Sequence, residues 1–205
     1  MLPREGSSPH NRPMNKRHFL GTAALAASFS SLQASAADKT AKGPGLLTVS
    51  GAVGKSNRGP VDPALDQLMA KHGVKFDKAY VFDAEALRRL PAVRIKPTIE
   101  YDAKVHALAG PLLTSVMEAA GVPGDATLAL RAVDGYVVPV RMADARSYRM
   151  IVATEMDGAP LALGGLGPLW AVYEADTLPA FKDKPLKERF ALCPWGLYSV
   201  EVTRG

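Results

Sequence analysis

The chain carries few side chains able to do chemistry, and their spacing narrows what it can be. One cysteine, Cys193, stands beside Pro194 and Trp195. A single cysteine permits no internal disulfide and no thiolate cluster for zinc or iron–sulfur. Lone cysteines act mostly as small buried apolar groups, the alternatives here being a reactive thiol or a metal ligand. Histidines fall at positions 10, 18, 72 and 106, without metal-ligand spacing, so no metal-binding residues are nominated. His72 precedes Gly73 at a helix end, where the helix dipole favours a partly charged imidazole, and reads as structural. His106 lies in a strand-like run and reads as a hydrogen-bonded structural histidine. Ser115, Ser147 and Ser199 lack a Gly-x-Ser-x-Gly frame. If the chain is a hydrolase, His106 and Asp134 are its candidates.

Two further patterns concern ligands rather than bond-breaking. Gly164-Gly165-Leu166-Gly167-Pro168 is either a loop that needs positive φ or a backbone that a ligand approaches closely. Lys182, Lys184, Lys187 and Arg189 alternate with Asp183 and Glu188. That run is a solvated segment or, in the functional alternative, a set of cations gripping an anion. Gly51-Ala52-Val53-Gly54-Lys55-Ser56 imitates half a phosphate-binding loop. The first glycine of the full motif is replaced by Val49, and Asn57-Arg58-Gly59-Pro60 prevents the helix that should follow. A polar turn is the better reading.

The elements that must position these groups are legible from periodicity and punctuation. Thr127–Ala132 and Tyr136–Val140 flank Asp134-Gly135, which predicts a hairpin with Pro139 on an edge strand. Strands are predicted at Leu46–Gly51, Val74–Phe82, Val93–Lys96, Lys104–Leu108, Met150–Thr154, and from Leu169 to Tyr173, with a turn at Asp157-Gly158. Helices are predicted from Asp62-Pro63 to His72 with Leu65, Leu68 and Met69 as the apolar face, from Asp83 to Arg89, and from Pro111 to Ala120. Leu90-Pro91, Gly121 and Pro123 are stops. The predicted class is α+β: a mixed, mainly antiparallel sheet system with short flanking helices.

The order of these motifs resembles the oxidoreductase molybdopterin-binding domain of the sulfite-oxidase type. The resemblance rests on Asp134-Gly135-Tyr136, the Ile151-Val152-Ala153 strand, Asp157-Gly158-x-Pro160-Leu161 and Gly167-Pro168-Leu169-Trp170. It also rests on Phe82-x4-Leu87-x2-Leu90-Pro91, on Ala109-Gly110-Pro111-Leu112-Leu113 with Val116-Met117 and Ala120-Gly121, and on Trp195-Gly196-Leu197 with Val200-Glu201-Val202. It spans roughly 46–205. It implies a molybdopterin cofactor contacted by Asp134, Tyr136, Gly167 and Pro168, with Lys182 and Lys184 on the pterin phosphate. Two departures qualify the implication. Catalytic members of that family hold molybdenum through a cysteine between the Leu-Pro element and the following helix, yet 92–109 contains none. Trp170 stands where an arginine is common. The fold is then kept while the metal chemistry is altered or lost; the alternative is a non-catalytic periplasmic module that binds a small molecule or a protein partner.

Composition sets the remaining bounds. At 205 residues, 47% hydrophobic and 22% charged, the chain suits one globular domain with a real core. Its net charge of +5 is inflated by residues 1–36, which hold four of the 25 basic residues and one of the 20 acidic ones; the remainder is +2. Such a balance gives no support for nucleic-acid binding. Residues 1–36 read as an extension and a cleaved export signal: Lys16-Arg17, an apolar core from Gly21 to Leu32 too short for a membrane span, and Ala34-Ser35-Ala36. Lys16-Arg17-x-Phe19-Leu20 is twin-arginine-like, the route for proteins exported folded, with the ordinary unfolded-chain route as alternative. The expected location is the periplasm. Residues 38–45 form a linker.

Overall fold

The first and last strands of the domain lie side by side, and the rest of the fold is built outward from that pair. The structure is a computed structural model and describes residues 43–205. The predicted export signal lies outside the described residues. Among the described residues, eleven strands and four short α-helices follow in the order β1 (Leu47–Gly51), α1 (Gln67–Lys71), β2 (Ala79–Phe82), α2 (Ala84–Arg88), β3 (Ala92–Ile95), β4 (Leu108–Pro111), α3 (Leu113–Ala119), β5 (Thr127–Ala132), β6 (Val137–Arg141), α4 (Met142–Ser147), β7 (Ile151–Ala153), β8 (Glu155–Met156), β9 (Ala159–Pro160), β10 (Trp170–Val172) and β11 (Leu197–Thr203), with two single-turn 3-10 helices between β10 and β11. The class is α+β, as its sequence predicts.

A five-stranded sheet runs β2-β1-β11-β5-β6, a four-stranded one β3-β4-β8-β9, and β10 pairs with β7. Every strand pair is antiparallel except β1 with β11, whose register matches Val49 to Val200. The β5–β6 hairpin forms as expected, with Gly135 at φ 91°. Its second strand is an edge of the five-stranded sheet, where Pro139 leaves no ladder bond unmade. The β8–β9 turn places Asp157 at φ 51° and Gly158 at φ 82°, the paired left-handed geometry of a two-residue hairpin loop. α2 is capped by Asp83, whose carboxylate accepts from the Ala86 N–H at 2.7 Å.

Apolar residues that alternate along the strands meet in one core. Leu47 and Val49 of β1, Leu128 and Leu130 of β5, and Val200 of β11 are fully buried with Leu113, Val116 and Met117 of α3 and Met142 of α4. Each such side chain contributes about 1.5–3 kcal/mol by leaving water. Gly110 of β4 is forced by proximity: a Cβ there would sit 1.9 Å from the Val152 carbonyl oxygen.

Four expectations are corrected. The helix predicted from Asp62-Pro63 begins at Gln67, and of its apolar face only Met69 is buried; Leu65 is 82% exposed. Asp62 does cap, but it caps a turn, accepting from the Ala64 N–H at 2.8 Å. The strand predicted over Val74–Phe82 is confined to β2, because residues 74–78 pair with no neighbouring strand. The strand predicted at Lys104–Leu108 is shifted to β4, with Val105 in an isolated bridge to Thr98. The helix predicted from Pro111 starts two residues later, since Pro111 closes β4. α4, between β6 and β7, has no counterpart in the sequence reading. No helix among the described residues is long and apolar enough to cross a membrane.

Candidate functional site

Three separate stretches of chain converge on one cleft. The first is the β5–β6 turn. Asp134 accepts from the Tyr136 N–H at 2.9 Å, an Asx-type turn that carries Tyr136 outward. The Tyr136 hydroxyl then donates to the Ala191 carbonyl at 2.9 Å and ties the turn to the second stretch. That stretch, 187–195, is anchored from below. The fully buried Trp170 donates its indole N–H to the Cys193 carbonyl at 2.9 Å, and Arg189 is held by Asp176 at 2.7 Å and by the Lys184 carbonyl at 2.8 Å.

The third stretch is an excursion between β3 and β4. Thr98 bridges to Val105, and the Ile99 N–H donates to the Lys104 carbonyl at 2.9 Å. Ala103 takes φ 55°, which turns the tip and presents Glu100 and Tyr101. Asp176 links this excursion to the second stretch, since its other oxygen accepts from the Thr98 N–H at 2.6 Å.

The cleft, open to solvent on one side, has a volume of about 280 Å³ and is lined by Glu100, Tyr101, Asp134, Tyr136, Lys187 and Trp195, with Cys193 and Phe190 in its wall. Its walls therefore offer two carboxylates, one ammonium and four aromatic side chains. Burial first, and then the Glu100 carboxylate, push the Tyr101 hydroxyl up to about 12. Burial also pushes the Cys193 thiol up to about 12, outweighing hydrogen bonds from Tyr173 that favour the thiolate. Tyr173 is itself raised, by burial first and by Cys193 second. At neutral pH all three are protonated. Cys193 is thus a neutral thiol and fits the buried apolar reading more than the reactive one.

The predicted ligand contacts divide. Asp134 and Tyr136 line the cleft. Gly167 and Pro168 do not. The N–H groups of Gly165 and Gly167 both donate to the Ala162 carbonyl at 3.1 Å, so this loop spends its donors on itself. A Cβ on Gly167 would meet the Leu161 carbonyl oxygen at 2.4 Å, so close chain packing explains that glycine. Pro168, whose peptide bond to Gly167 is cis, borders two other depressions. Lys182 and Lys184 are exposed, and the Lys184 ammonium sits 5.1 Å over the Phe181 ring. Of the lysine run, the cleft receives only Lys187. The half phosphate loop is a turn: the Lys55 ammonium donates to the Ala119 carbonyl at 3.1 Å. His72 bonds the Tyr198 hydroxyl at 2.8 Å, a structural role.

Glu100, Tyr101 and Trp195 are lining residues that the sequence does not point to as ligand contacts. Nothing in the local sequence distinguishes Glu100 and Tyr101, and Trp195 stands out only as the start of a strand motif, because the three meet only through contacts across the fold. His106 is likewise more than a lone strand histidine. Its Nδ1 lies 2.6 Å from Asp157 and its Nε2 3.0 Å from Asp102. Both carboxylates hold the imidazole above its ordinary value, Asp157 more than Asp102, and His106 in turn holds both below the usual carboxylate range. Among the described residues no group of three His, Cys, Asp or Glu is placed to hold a metal ion. The chain matches no known family model and no curated protein sequence.

Proposed function

We propose that the chain is an exported, periplasmic binding domain on a scaffold of the sulfite-oxidase molybdopterin-binding type, whose cleft takes a pterin-class heterocycle. The observation that carries the reading is the composition of the cleft wall. Glu100 and Asp134 can accept from the adjacent N–H donors of an aminopyrimidinone edge. Tyr101, Tyr136 and Trp195 offer faces for a planar ring. Lys187 supplies one positive charge for a phosphate. At about 280 Å³ the cleft lies near the lower limit of about 300 Å³ for small-ligand sites, enough for a bicyclic ring but not a dinucleotide.

The metal-bearing form of the cofactor does not fit the residues present. The interval 92–109 lacks a thiol, and the single thiol, Cys193, is buried and protonated, whereas a metal ligand must be a thiolate. The domain is accordingly read as oxidoreductase-like in scaffold with its redox catalysis altered or lost. The test is thermal unfolding of the full chain with a pterin and with its phosphate ester. At a hundred times the dissociation constant a ligand stabilises by about 2.7 kcal/mol. Asp134→Asn should abolish the shift for both compounds, and Lys187→Ala for the phosphate ester only. No shift with either compound overturns the ligand assignment; stoichiometric molybdenum in protein from a molybdenum-competent host overturns the statement about the metal.

A second reading, a partner-interaction module, is favoured by the groove of about 560 Å³ beside β1, where Leu163 is 75% and Leu68 40% exposed.

A further inference from the structure

The excursion that carries Glu100 and Tyr101 is held at its next residue. Asp102 follows Tyr101 directly, and its carboxylate contacts His106 Nε2 at 3.0 Å. The other ring nitrogen, Nδ1, contacts Asp157 at 2.6 Å on the β8–β9 turn. Asp157 is itself committed to that position. Its second oxygen accepts from the Ala107 N–H at 2.9 Å, its own N–H donates to the Ala107 carbonyl at 2.8 Å, and it takes φ 51° to do so. The imidazole therefore joins the tip of the excursion to a fixed hairpin, 51 residues away in sequence.

The proton inventory of this bridge is what makes it conditional. A neutral imidazole has one N–H and one lone pair. It can donate to one carboxylate only, and the lone pair then faces the other. Both contacts are hydrogen bonds only in the imidazolium. The charged groups facing His106 are Asp102 on its own excursion, with Lys104 beside Asp102, and Asp157 across from it. Asp157 keeps its backbone bonds to Ala107 whatever the imidazole does, so the Asp102 contact is the one that yields.

We propose that Asp102, His106 and Asp157 form a protonation-dependent latch that fixes the loop presenting Glu100 and Tyr101 to the cleft, closing it when His106 is charged and freeing it when His106 is neutral. The effect on ligand affinity rests on the reading of the cleft as a pterin site; the latch does not. A histidine whose value is raised on folding stabilises the folded state fully below its unfolded value of about 6.5. That contribution is lost as pH rises through the raised folded value. The lowered carboxylates act at the other limit: their contribution is present above about 3.8 and is lost as pH falls through their folded values. The latch is closed between these limits.

The test uses the full chain and two readouts. Nitrogen-15 spectra of the imidazoles, assigned with His106→Gln, report the His106 titration. Amide exchange at Ile99 and Lys104 reports the loop, corrected for the intrinsic pH dependence of exchange. The expected result is a His106 midpoint above 6.5, both ring nitrogens protonated below it, and loop protection lost with the same midpoint. Asp102→Asn, which leaves the hairpin contacts intact, should lower the midpoint and loosen the loop already at neutral pH. Pterin affinity should fall about tenfold across the titration, the size of one lost charge-assisted hydrogen bond, and lose this pH dependence in His106→Gln. A His106 midpoint at or below 6.5, or loop protection indifferent to it, overturns the latch. If titration and protection behave as expected but no pterin binds at any pH, the latch stands and the ligand reading falls.

Discussion

Replacing Asp176 by alanine should damage the domain more than its partly exposed position suggests. One carboxylate oxygen accepts from the Thr98 N–H at 2.6 Å and the other from Arg189 at 2.7 Å. The two side chains of the ion pair are 30% and 22% exposed, so the pair belongs near the upper end of the range of about 0.2–1 kcal/mol for surface pairs. The larger loss is at Thr98, whose half-buried N–H is left without an acceptor, at a cost of about 1–3 kcal/mol. Asp176→Ala should therefore lose about 3 kcal/mol. Asp176→Asn keeps an oxygen for Thr98 and should lose about 1 kcal/mol, as should Arg189→Ala, which strands no backbone donor. For a domain of this size each kcal/mol moves Tm by about 2–4 °C, so alanine should lower Tm by about 6–12 °C and the other two by about a third as much. Urea unfolding of the four proteins and of the double variant provides the measurement. Equal losses in Asp176→Ala and Arg189→Ala would refute the reasoning, because the Thr98 bond would then contribute nothing. The same variant loosens the joint between two walls of the cleft, so ligand-induced stabilisation should fall with it.

Other outcomes follow from single positions. Trp170→Phe keeps the buried ring but leaves the Cys193 carbonyl unpaired; a loss of about 1–3 kcal/mol by urea unfolding is expected. Gly110→Ala places a methyl group against the Val152 backbone and should lower soluble yield sharply, while Gly59→Ala, where a Cβ meets nothing within 4 Å, should stay within about 0.5 kcal/mol of the parent. Cys193, buried and with its thiol pushed up to about 12, should resist alkylation at pH 8 in the folded protein and react at the rate of a free thiol in denaturant. Rapid modification of the native state would place the thiol in solvent.

Much of the architecture was legible because it is local. Asp134-Gly135 and Asp157-Gly158 announce hairpins since Gly135 and both residues of the second pair take left-handed backbone that most residue types avoid. Asp83 announces α2 because a carboxylate at that place satisfies a backbone donor three residues on. Pro139 announces an edge because it cannot donate. Where local signs misled, burial was the missing variable. Leu65 and Leu68 sit at helical spacing beside Met69, yet only Met69 has a core to enter. Val74 to Lys78 alternates like a strand, but alternation specifies a face, and no neighbouring strand receives that segment.

The sequence by itself determined the two Asp-Gly turns, the Asp83 cap, the edge strand and the absence of a thiol between Ala92 and Ala109. Only the tertiary structure decided that β1 lies parallel to β11, and that Glu100, Asp134 and Lys187 share one cleft. It alone set Cys193 in that cleft as a neutral thiol, and clasped His106 between two carboxylates. The physical reason is range. A turn or a cap is fixed by dihedral preference and a donor within a few residues. A site, or a shifted proton, depends on charge and burial contributed by chain that is distant until the fold closes.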